Sequence, residues 1–127
     1  MTPTRPRWRR GRSVNRVVPI VSVRDLGSAV ETYQAIFGLE VVMNHGWIAT
    51  LADRDRRHQV SLLTDDATAA VNPSVSVEVD DVDAAHAAAV AAGLEIVHPL
   101  ADEEWGVRRF FFADGSGNIV NVLSHRD

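Results

Sequence analysis

The chain contains five histidines that could serve as metal ligands: His45, His58, His86, His98 and His125. No two of them are spaced as HxH or HxxxH, the separations that put two side chains on one face of a strand or helix. The chain contains no cysteine, so a thiolate metal site and a disulfide framework are both impossible. We therefore expect histidines that lie on the surface or form hydrogen bonds. The alternative is a metal site that uses His45, His58 or His98 across a dimer.

The charged residues are distributed unevenly along the 127-residue chain. Residues 1–12 carry five Arg and no acid, whereas residues 13–127 carry eight Arg against seventeen Asp and Glu, a net charge of −9. A basic arm can bind nucleic acid by neutralising phosphates, but an acidic body argues against nucleic acid as the main partner. We interpret residues 1–14 as a disordered basic tail.

No apolar run approaches the roughly 20 residues that a membrane-spanning helix requires. The basic start is followed by a short apolar stretch, residues 17–23, that Pro19 interrupts. It lacks the long apolar region and the small-residue cleavage site of a signal peptide. The sequence therefore predicts a cytoplasmic protein without a membrane partner.

An internal repeat defines the elements that must position any functional side chain. Residues 18–42 and 74–97 correspond at an offset of 56 before the helical middle and 55 after it. Each copy is an alternating strand, a helix that Asp25 (or Ser28) or Asp81 (or Asp80) caps, and a second strand. Gly38 and Gly93 end the two helices. The expected apolar stripes are Ala29, Tyr33, Ile36 and Phe37 in the first helix, and Val82, Val90 and the alanines in the second.

Two further strands follow each copy, so that the halves also match at an offset of 60 to 61. The predicted strands are residues 47–51 and 59–64 in the first half and residues 105–113 and 119–124 in the second. Residues 99–104 are interpreted as an acidic loop, and the residues DGSGN at 114–118 as a tight turn. The chain is thus predicted to contain a βαβββ module at residues 15–66, a linker at 67–73 and a second module at 74–127.

This order of motifs resembles the vicinal oxygen chelate superfamily, which includes glyoxalase I, extradiol dioxygenases and bleomycin-resistance proteins. The resemblance rests on VRDLGSAVETYQAIFGLEVV, VEVDDVDAAHAAAVAAGLEIV and WGVRRFFFADGSGNIVNVL, and it covers residues 15–125. It implies an α+β fold in which two βαβββ repeats form a cupped mixed sheet, with the helices on the convex face and the ligand in the concave face. It also implies a homodimer.

The resemblance implies a metal-ligand position on the first and last strand of each half. Those positions fall on Val18, Ser61, Ser74 and Asn121. Divalent metals prefer imidazole nitrogens and carboxylates, so a valine, two hydroxyls and an amide are a poor ligand set. We therefore expect neither a metal nor another cofactor.

Strand alternation around Asn121, with the family's register and the repeat, predicts which side chains line the cup. Glu78 is the one inward carboxylate that we identify, the one candidate for a general base, and a possible partner of Arg109. Trp105 is expected at one edge as a stacking surface, whereas Trp47, Phe110 and Phe112 are expected to pack against the helices. The predicted ligand-binding residues are Ile48, Thr50, Ser61, Ser74, Ser76, Trp105, Arg109, Phe111 and Asn121.

Two functions remain open on this basis. The first is metal-independent binding of a small molecule, such as an antibiotic or an aromatic metabolite, in the manner of a bleomycin-resistance protein. The second is an enzyme of the isomerase, lyase or dioxygenase type that acts without metal or with unusual ligands. A weaker third hypothesis makes the arginine-rich tail a nucleic-acid-binding arm.

Overall fold

The computed structural model describes residues 13–126, and the predicted basic tail lies outside them except for Ser13 and Val14. Eight strands and two helices occur in these residues in the order β1 α1 β2 β3 β4 β5 α2 β6 β7 β8. Their bounds are β1 Val14–Ser22, α1 Leu26–Phe37, β2 Glu40–Asn44, β3 Ile48–Ala52, β4 Gln59–Leu63, β5 Val75–Val79, α2 Val82–Ala91, β6 Glu95–Asp102, β7 Val107–Ala113 and β8 Ile119–His125. The predicted α+β class and both βαβββ repeats are confirmed.

The chain forms two compact units. The first-repeat unit is Val18–Val75. The second-repeat unit combines the preceding stretch of the chain, described from residue 13 to residue 17, with residues 76–126. The boundary therefore falls inside β1, whose first residues belong with the second repeat. The backbone N–H of Asp80 donates to the carbonyl oxygen of Ser13 at 3.1 Å, which attaches this segment to the end of β5.

In the first-repeat unit the strand order is β2-β3-β4-β1. β1 runs parallel to β4, whereas β3 is antiparallel to both β2 and β4. Its core contains Ala49, Leu51 and Leu62, all fully buried. Side chains of α1 pack on this cluster, including Leu26, Ala29, Val30 and Tyr33.

In the second-repeat unit the strand order is β5-β8-β7-β6. β7 is antiparallel to both β8 and β6. Its core contains Val79, Val82, Ala89, Phe110 and Val122, with Ala85, Phe112 and Val120 packed against it. Phe110, Phe112, Val120 and Val122 therefore face α2, as strand alternation predicted.

The helix ends follow the predicted local chemistry. A side-chain oxygen of Asp25 accepts the backbone N–H of Ser28 at 2.9 Å, and Asp81 accepts that of Ala84 at 3.0 Å. These bonds satisfy backbone donors that the first turn of a helix leaves unpaired. Gly38 ends α1 with a φ of 66°, a left-handed conformation that a side chain disfavours.

Part of the predicted apolar stripe is wrong in each helix. Ile36, Phe37 and Val90 are 66%, 63% and 54% exposed, so they do not contribute to the cores. Leu26 and Val30 take the inward positions in α1, and Ala89 takes that of Val90 in α2. The sequence offered more apolar side chains than one helix face can bury, and only the position of the sheet decides which of them pack.

The predicted acidic loop at 99–104 is also wrong for most of its length. β6 continues to Asp102, and Ala101 and Asp102 pair with Arg109 and Arg108 of β7. Two irregularities in register, on either side of His98, carry the strand past Pro99. A β-bulge leaves a residue unpaired in the ladder, which allows proline to lie within a strand. The turn itself is Glu103–Gly106, closed by the backbone N–H of Glu103 donating to the Val107 carbonyl at 2.7 Å.

Asp114 organises the turn between β7 and β8. Its carboxylate accepts the side-chain amide of Asn118 at 2.7 Å and the backbone N–H groups of Ser116 and Asn118 at 2.8 and 3.1 Å. These bonds, the side-chain bond of Asn118 first among them, hold the pKa of Asp114 below its ordinary value of 3.8. A carboxylate with a depressed pKa stabilises the folded state above its unfolded pKa, and protonation removes that contribution.

We expect stability to fall as the pH drops below about 4, in part through this turn. Asp114→Asn should be less stable than the parent at pH 7, and the difference between the two should shrink between pH 4 and pH 2.5. Thermal unfolding at a series of pH values measures both effects. Asp55→Asn, at an exposed position in the β3–β4 turn, is the control. A constant difference between parent and Asp114→Asn down to pH 2.5 would contradict the role of the charge.

Candidate functional site

The two faces of the second-repeat unit differ in chemistry. One face carries the apolar core under α2, and the alternate positions of the strands form the other. We call this second set the polar face of the second repeat. Its polar and aromatic members are Ser76, Glu78, Arg109, Phe111, Asn121 and His125, and its apolar members include Val107, Ile119 and Leu123. It includes the predicted ligand-binding residues of this unit except Trp105.

A hydrogen-bonded pair joins β5 to β8 on this face. The Asn121 Nδ2 group donates to Ser76 Oγ at 2.9 Å. Asn121 is only 7% exposed, and its Oδ1 atom is shielded from solvent and has no hydrogen-bond partner. Leaving a buried acceptor unpaired costs about 1–3 kcal/mol, so residues of this kind call for an explanation beyond stability.

Glu78 lies at the end of the same face and holds a histidine. Its Oε1 atom lies 2.8 Å from His125 Nε2 and 3.4 Å from an Arg16 guanidinium nitrogen. The Glu78 side chain is largely buried, whereas that of His125 is about half exposed. When Nε2 carries the proton that it donates to Glu78, the other ring nitrogen, Nδ1, is the basic one.

The predicted Arg109–Glu78 pair is wrong. Arg109 instead binds Glu103, with Glu103 Oε2 lying 3.0 Å from a terminal guanidinium nitrogen and 3.2 Å from Nε. Both side chains are almost completely buried. The strand order explains the difference, because β8 separates β5, which carries Glu78, from β7, which carries Arg109.

Aromatic rings complete the surroundings of this buried ion pair. The Arg109 guanidinium carbon lies 5.0 Å from the centroid of the Trp105 ring and 4.7 Å from that of Phe111. Contacts of this kind between a guanidinium and a ring face are attractive, and more so away from water. Trp105 is thus a partner of Arg109, and its role as a stacking surface for a ligand stays a prediction.

Glu103 is a buried acidic residue, paired with Arg109, that was not predicted from the sequence. We interpreted residues 102–104 as a solvated loop and named Glu78 as the one inward carboxylate, but Glu103 is also buried. The signal lay in the hairpin, since a short turn ending at Gly106 folds the residues before it back beside Arg109. Recognising it required the true length of β6.

The equivalent positions of the first repeat are less polar. Val18 and Ile20, which correspond to Ser74 and Ser76, are buried apolar residues. Thr50 Oγ1 and Ser61 Oγ are hydrogen-bonded to each other at 2.7 Å, and both are buried. These hydroxyls therefore satisfy one another, whereas Asn121, the equivalent of Ser61, faces Phe111 rather than a hydroxyl.

The residues at the four expected metal positions do not fit a metal centre. They are Val18, Ser61, Ser74 and Asn121, which offer no imidazole and no carboxylate. Within residues 13–126 no group of three or more His, Asp or Glu side chains lies close enough to hold an ion. Borderline divalent metals need nitrogen or charged oxygen ligands, and this set supplies neither.

The histidines other than His125 lie apart from this face or take part in packing. His45 and His58 are exposed in turns. His98 is buried, with Nδ1 at 2.7 Å from the Pro99 carbonyl oxygen and its ring 5.0 Å from that of Phe111. His86 of α2 contacts the Phe110 ring edge-on at 4.9 Å.

Residues 13–122 match the model of the Glyoxalase/Bleomycin resistance protein/Dioxygenase superfamily, and the chain belongs to this family. The resemblance that the repeat motifs suggested is therefore confirmed at the level of the superfamily. A search of curated protein sequences finds no significant match. In the described part of the chain, neither helix is long and apolar enough to cross a membrane.

Solved structures with the same fold include both enzymes and proteins known only by family. The NAD-dependent benzaldehyde dehydrogenase from Legionella pneumophila is 13% identical, with a TM-score of 0.73 over 87% of this chain and 100% of the other. Methylmalonyl-CoA epimerase from Mycobacterium tuberculosis is 19% identical, with a TM-score of 0.66 over 90% and 88%. A superfamily member from Vibrio splendidus 12B01 is 16% identical, with a TM-score of 0.63 over 88% and 99%. At these identities the likeness concerns the fold alone.

Proposed function

We propose that this protein binds a small organic molecule without a metal ion, on the polar face of the second repeat. The observation that carries the proposal is the buried Asn121 amide, which occupies a family metal position but offers a neutral oxygen with no partner. Ser76, Trp105, Arg109 and Phe111 are the other proposed contacts in this unit. Aromatic rings beside a few placed polar groups are typical of small-molecule sites.

Ile48, Thr50 and Ser61 of the first repeat, and Ser74 at the start of the second, remain predicted ligand contacts. The Thr50–Ser61 bond leaves those two hydroxyls less to offer a ligand than Asn121 has. The acidic body, with a net charge of −9 over residues 13–127, favours a neutral or cationic compound over an anionic one.

Metal analysis is the first test of this proposal. We expect the purified protein to contain less than a stoichiometric amount of metal, and Zn, Ni, Co, Mn and Fe(II) to leave its melting temperature unchanged, because the ligand set lacks basic donors. Aromatic and cationic compounds should quench Trp105 fluorescence in a Trp8→Phe/Trp47→Phe variant. A tightly held, stoichiometric metal would refute metal independence, and a screen in which no compound binds would count against the binding function.

The second candidate is a metal-free enzyme of the isomerase or lyase type, and the Glu78–His125 contact favours it. A histidine that a carboxylate orients is a common arrangement for general acid–base catalysis. Glu78→Gln and His125→Gln should each lower turnover of an enzyme of this kind by about 10²-fold or more, while ligand affinity stays within a few fold. Unchanged turnover in both variants would remove this pair from catalysis.

Two further expectations from the sequence also stand as proposals. We infer a homodimer from the family resemblance, which light scattering of the purified protein tests. The idea of a nucleic-acid-binding tail predicts that deletion of residues 1–12 weakens salt-dependent retention on DNA. Equal retention with and without the tail would discard it.

A further inference from the structure

At equivalent positions, the first repeat has two polar side chains that bond to each other, whereas the second repeat has one polar side chain with an unpaired oxygen. Ser61 and Asn121 occupy the same position in β4 and β8, and Thr50 and Phe111 the same position in the neighbouring strands β3 and β7. In the first repeat the two side chains are hydroxyls that bond to each other at 2.7 Å. In the second repeat Phe111 has no group to offer, and Asn121 Oδ1 has no partner.

We propose that Asn121 Oδ1 is the recognition point for a ligand N–H or O–H group, so that the ligand class is a planar hydrogen-bond donor such as a primary amide, a phenol or an N–H heterocycle. This inference rests on the proposed binding function and specifies its chemistry. A buried amide oxygen strongly rejects a ligand group that cannot donate to it, because that acceptor would then stay unpaired.

The surroundings of Asn121 favour a neutral donor group. Phe111 lies opposite Asn121 on β7, which supplies an apolar ring beside the amide. The positive charge on this face of β7, that of Arg109, is already paired with Glu103 and contacts two aromatic rings. A ligand carboxylate would therefore compete with Glu103 for Arg109, whereas a neutral N–H or O–H group meets no such competitor at Asn121.

Access to the oxygen requires a small movement. Because Oδ1 is shielded from solvent, the Asn121 side chain has to turn its amide toward the ligand, and the side-chain bond it gives up is that to Ser76. Ser76 is only partly buried, so its hydroxyl can be satisfied by solvent or by the ligand. Asn121 Nδ2 loses its acceptor in this movement, and a ligand that also accepts from Nδ2, as a primary amide does, offsets that loss.

Matched probe pairs test the inference. Each pair differs only by methylation of the donor: benzamide against N,N-dimethylbenzamide, phenol against anisole, and indole against 1-methylindole. Titrations of the ¹⁵N-labelled full-length protein, followed by NMR, give the affinities and show whether the Asn121 side-chain amide signals shift. We expect the donor member of at least one pair to bind about tenfold more tightly or better.

A variant at Asn121 and a matched control test the assignment. Asn121→Leu should abolish the preference for the donor, whereas Asn44→Leu, at an exposed asparagine of β2 outside the proposed contacts, should retain it. Asn121→Asp keeps acceptor oxygens, so it should also retain the preference for the donor. It is the variant to measure if Asn121→Leu fails to fold. Equal binding of the two members of every pair, or a preference that survives Asn121→Leu, overturns the inference and leaves the binding function intact.

Two other outcomes are also decisive. Tighter binding of the methylated members would mean that the site selects apolar surface rather than a hydrogen-bond donor, which overturns the assignment of a donor ligand. Binding of none of the six probes at millimolar concentration would count against the proposed binding function itself as well as against this inference.

Discussion

Glu103→Gln should lower the free energy of unfolding by about 3–5 kcal/mol, because it leaves the Arg109 guanidinium buried without a charged partner. Glu103 Oε2 lies 3.0 Å from Arg109, and both side chains are almost fully buried. Glu103 also closes the β6–β7 turn through its backbone, since its carbonyl oxygen accepts from Gly106 and from the Arg126 side chain. Chemical denaturation of parent and variant measures the change.

A double variant tests whether the loss of stability in Glu103→Gln comes from the unpaired charge of Arg109. Glu103→Leu with Arg109→Met removes both charges, so it should recover most of the stability lost in Glu103→Gln. Asp102→Asn is the matched control, because Asp102 is the neighbouring acid and its ion pair with Arg108 is half exposed. That substitution should leave the unfolding free energy nearly unchanged. A Glu103→Gln variant as stable as Asp102→Asn would show that the pair is not buried in solution.

Glu103→Gln should also affect the proposed binding site. Arg109 lies between the rings of Trp105 and Phe111, and Glu103 holds its guanidinium there. Under the proposed function, release of Arg109 in Glu103→Gln would free it to bind an anionic ligand, so the ion pair would disfavour anions on this face.

Phe110→Ala should also lower the free energy of unfolding by about 3–5 kcal/mol, through lost burial and the cavity that remains. Phe110 is 1% exposed in the second-repeat core and contacts the rings of His86 and Phe112. The cost depends on how far α2 can settle into the space, since the alanine-rich helix has few large side chains to fill it. Equilibrium unfolding in urea, followed by circular dichroism, gives the value.

Phe37→Ala is the control of identical chemistry in an exposed position. Phe37 is 63% exposed at the end of α1, where its ring contacts Tyr33 at 5.9 Å. We expect its loss to change the free energy of unfolding by less than about 0.5 kcal/mol. Equal losses in the two variants would mean that Phe37 is covered in solution, as in the proposed homodimer, and dilution of the protein would then reduce the Phe37 effect.

Much of the fold could be predicted because it depends on local chemistry. Caps, helix ends and strand alternation involve residues a few positions apart, so Gly38 could be assigned from the sequence and each helix cap could be narrowed to two candidates, Asp25 or Ser28 and Asp81 or Asp80. The internal repeat strengthened each of these predictions, because a helix or strand found in one half supported its equivalent in the other. The lack of good metal ligands likewise follows from the residue types at Val18, Ser61, Ser74 and Asn121.

Only the tertiary structure decided which side chains meet. Glu78 binds His125 rather than Arg109, and Arg109 binds Glu103, because β8 lies between β5 and β7 and because β6 extends to Asp102. The same holds for burial, since Phe37 is exposed and Phe110 is not although both are apolar residues in regular elements. The periodicity of a sequence fixes which residues share a face of one strand or helix. Pairs that lie on different strands depend on strand order and register, which depend on the packing of the whole unit.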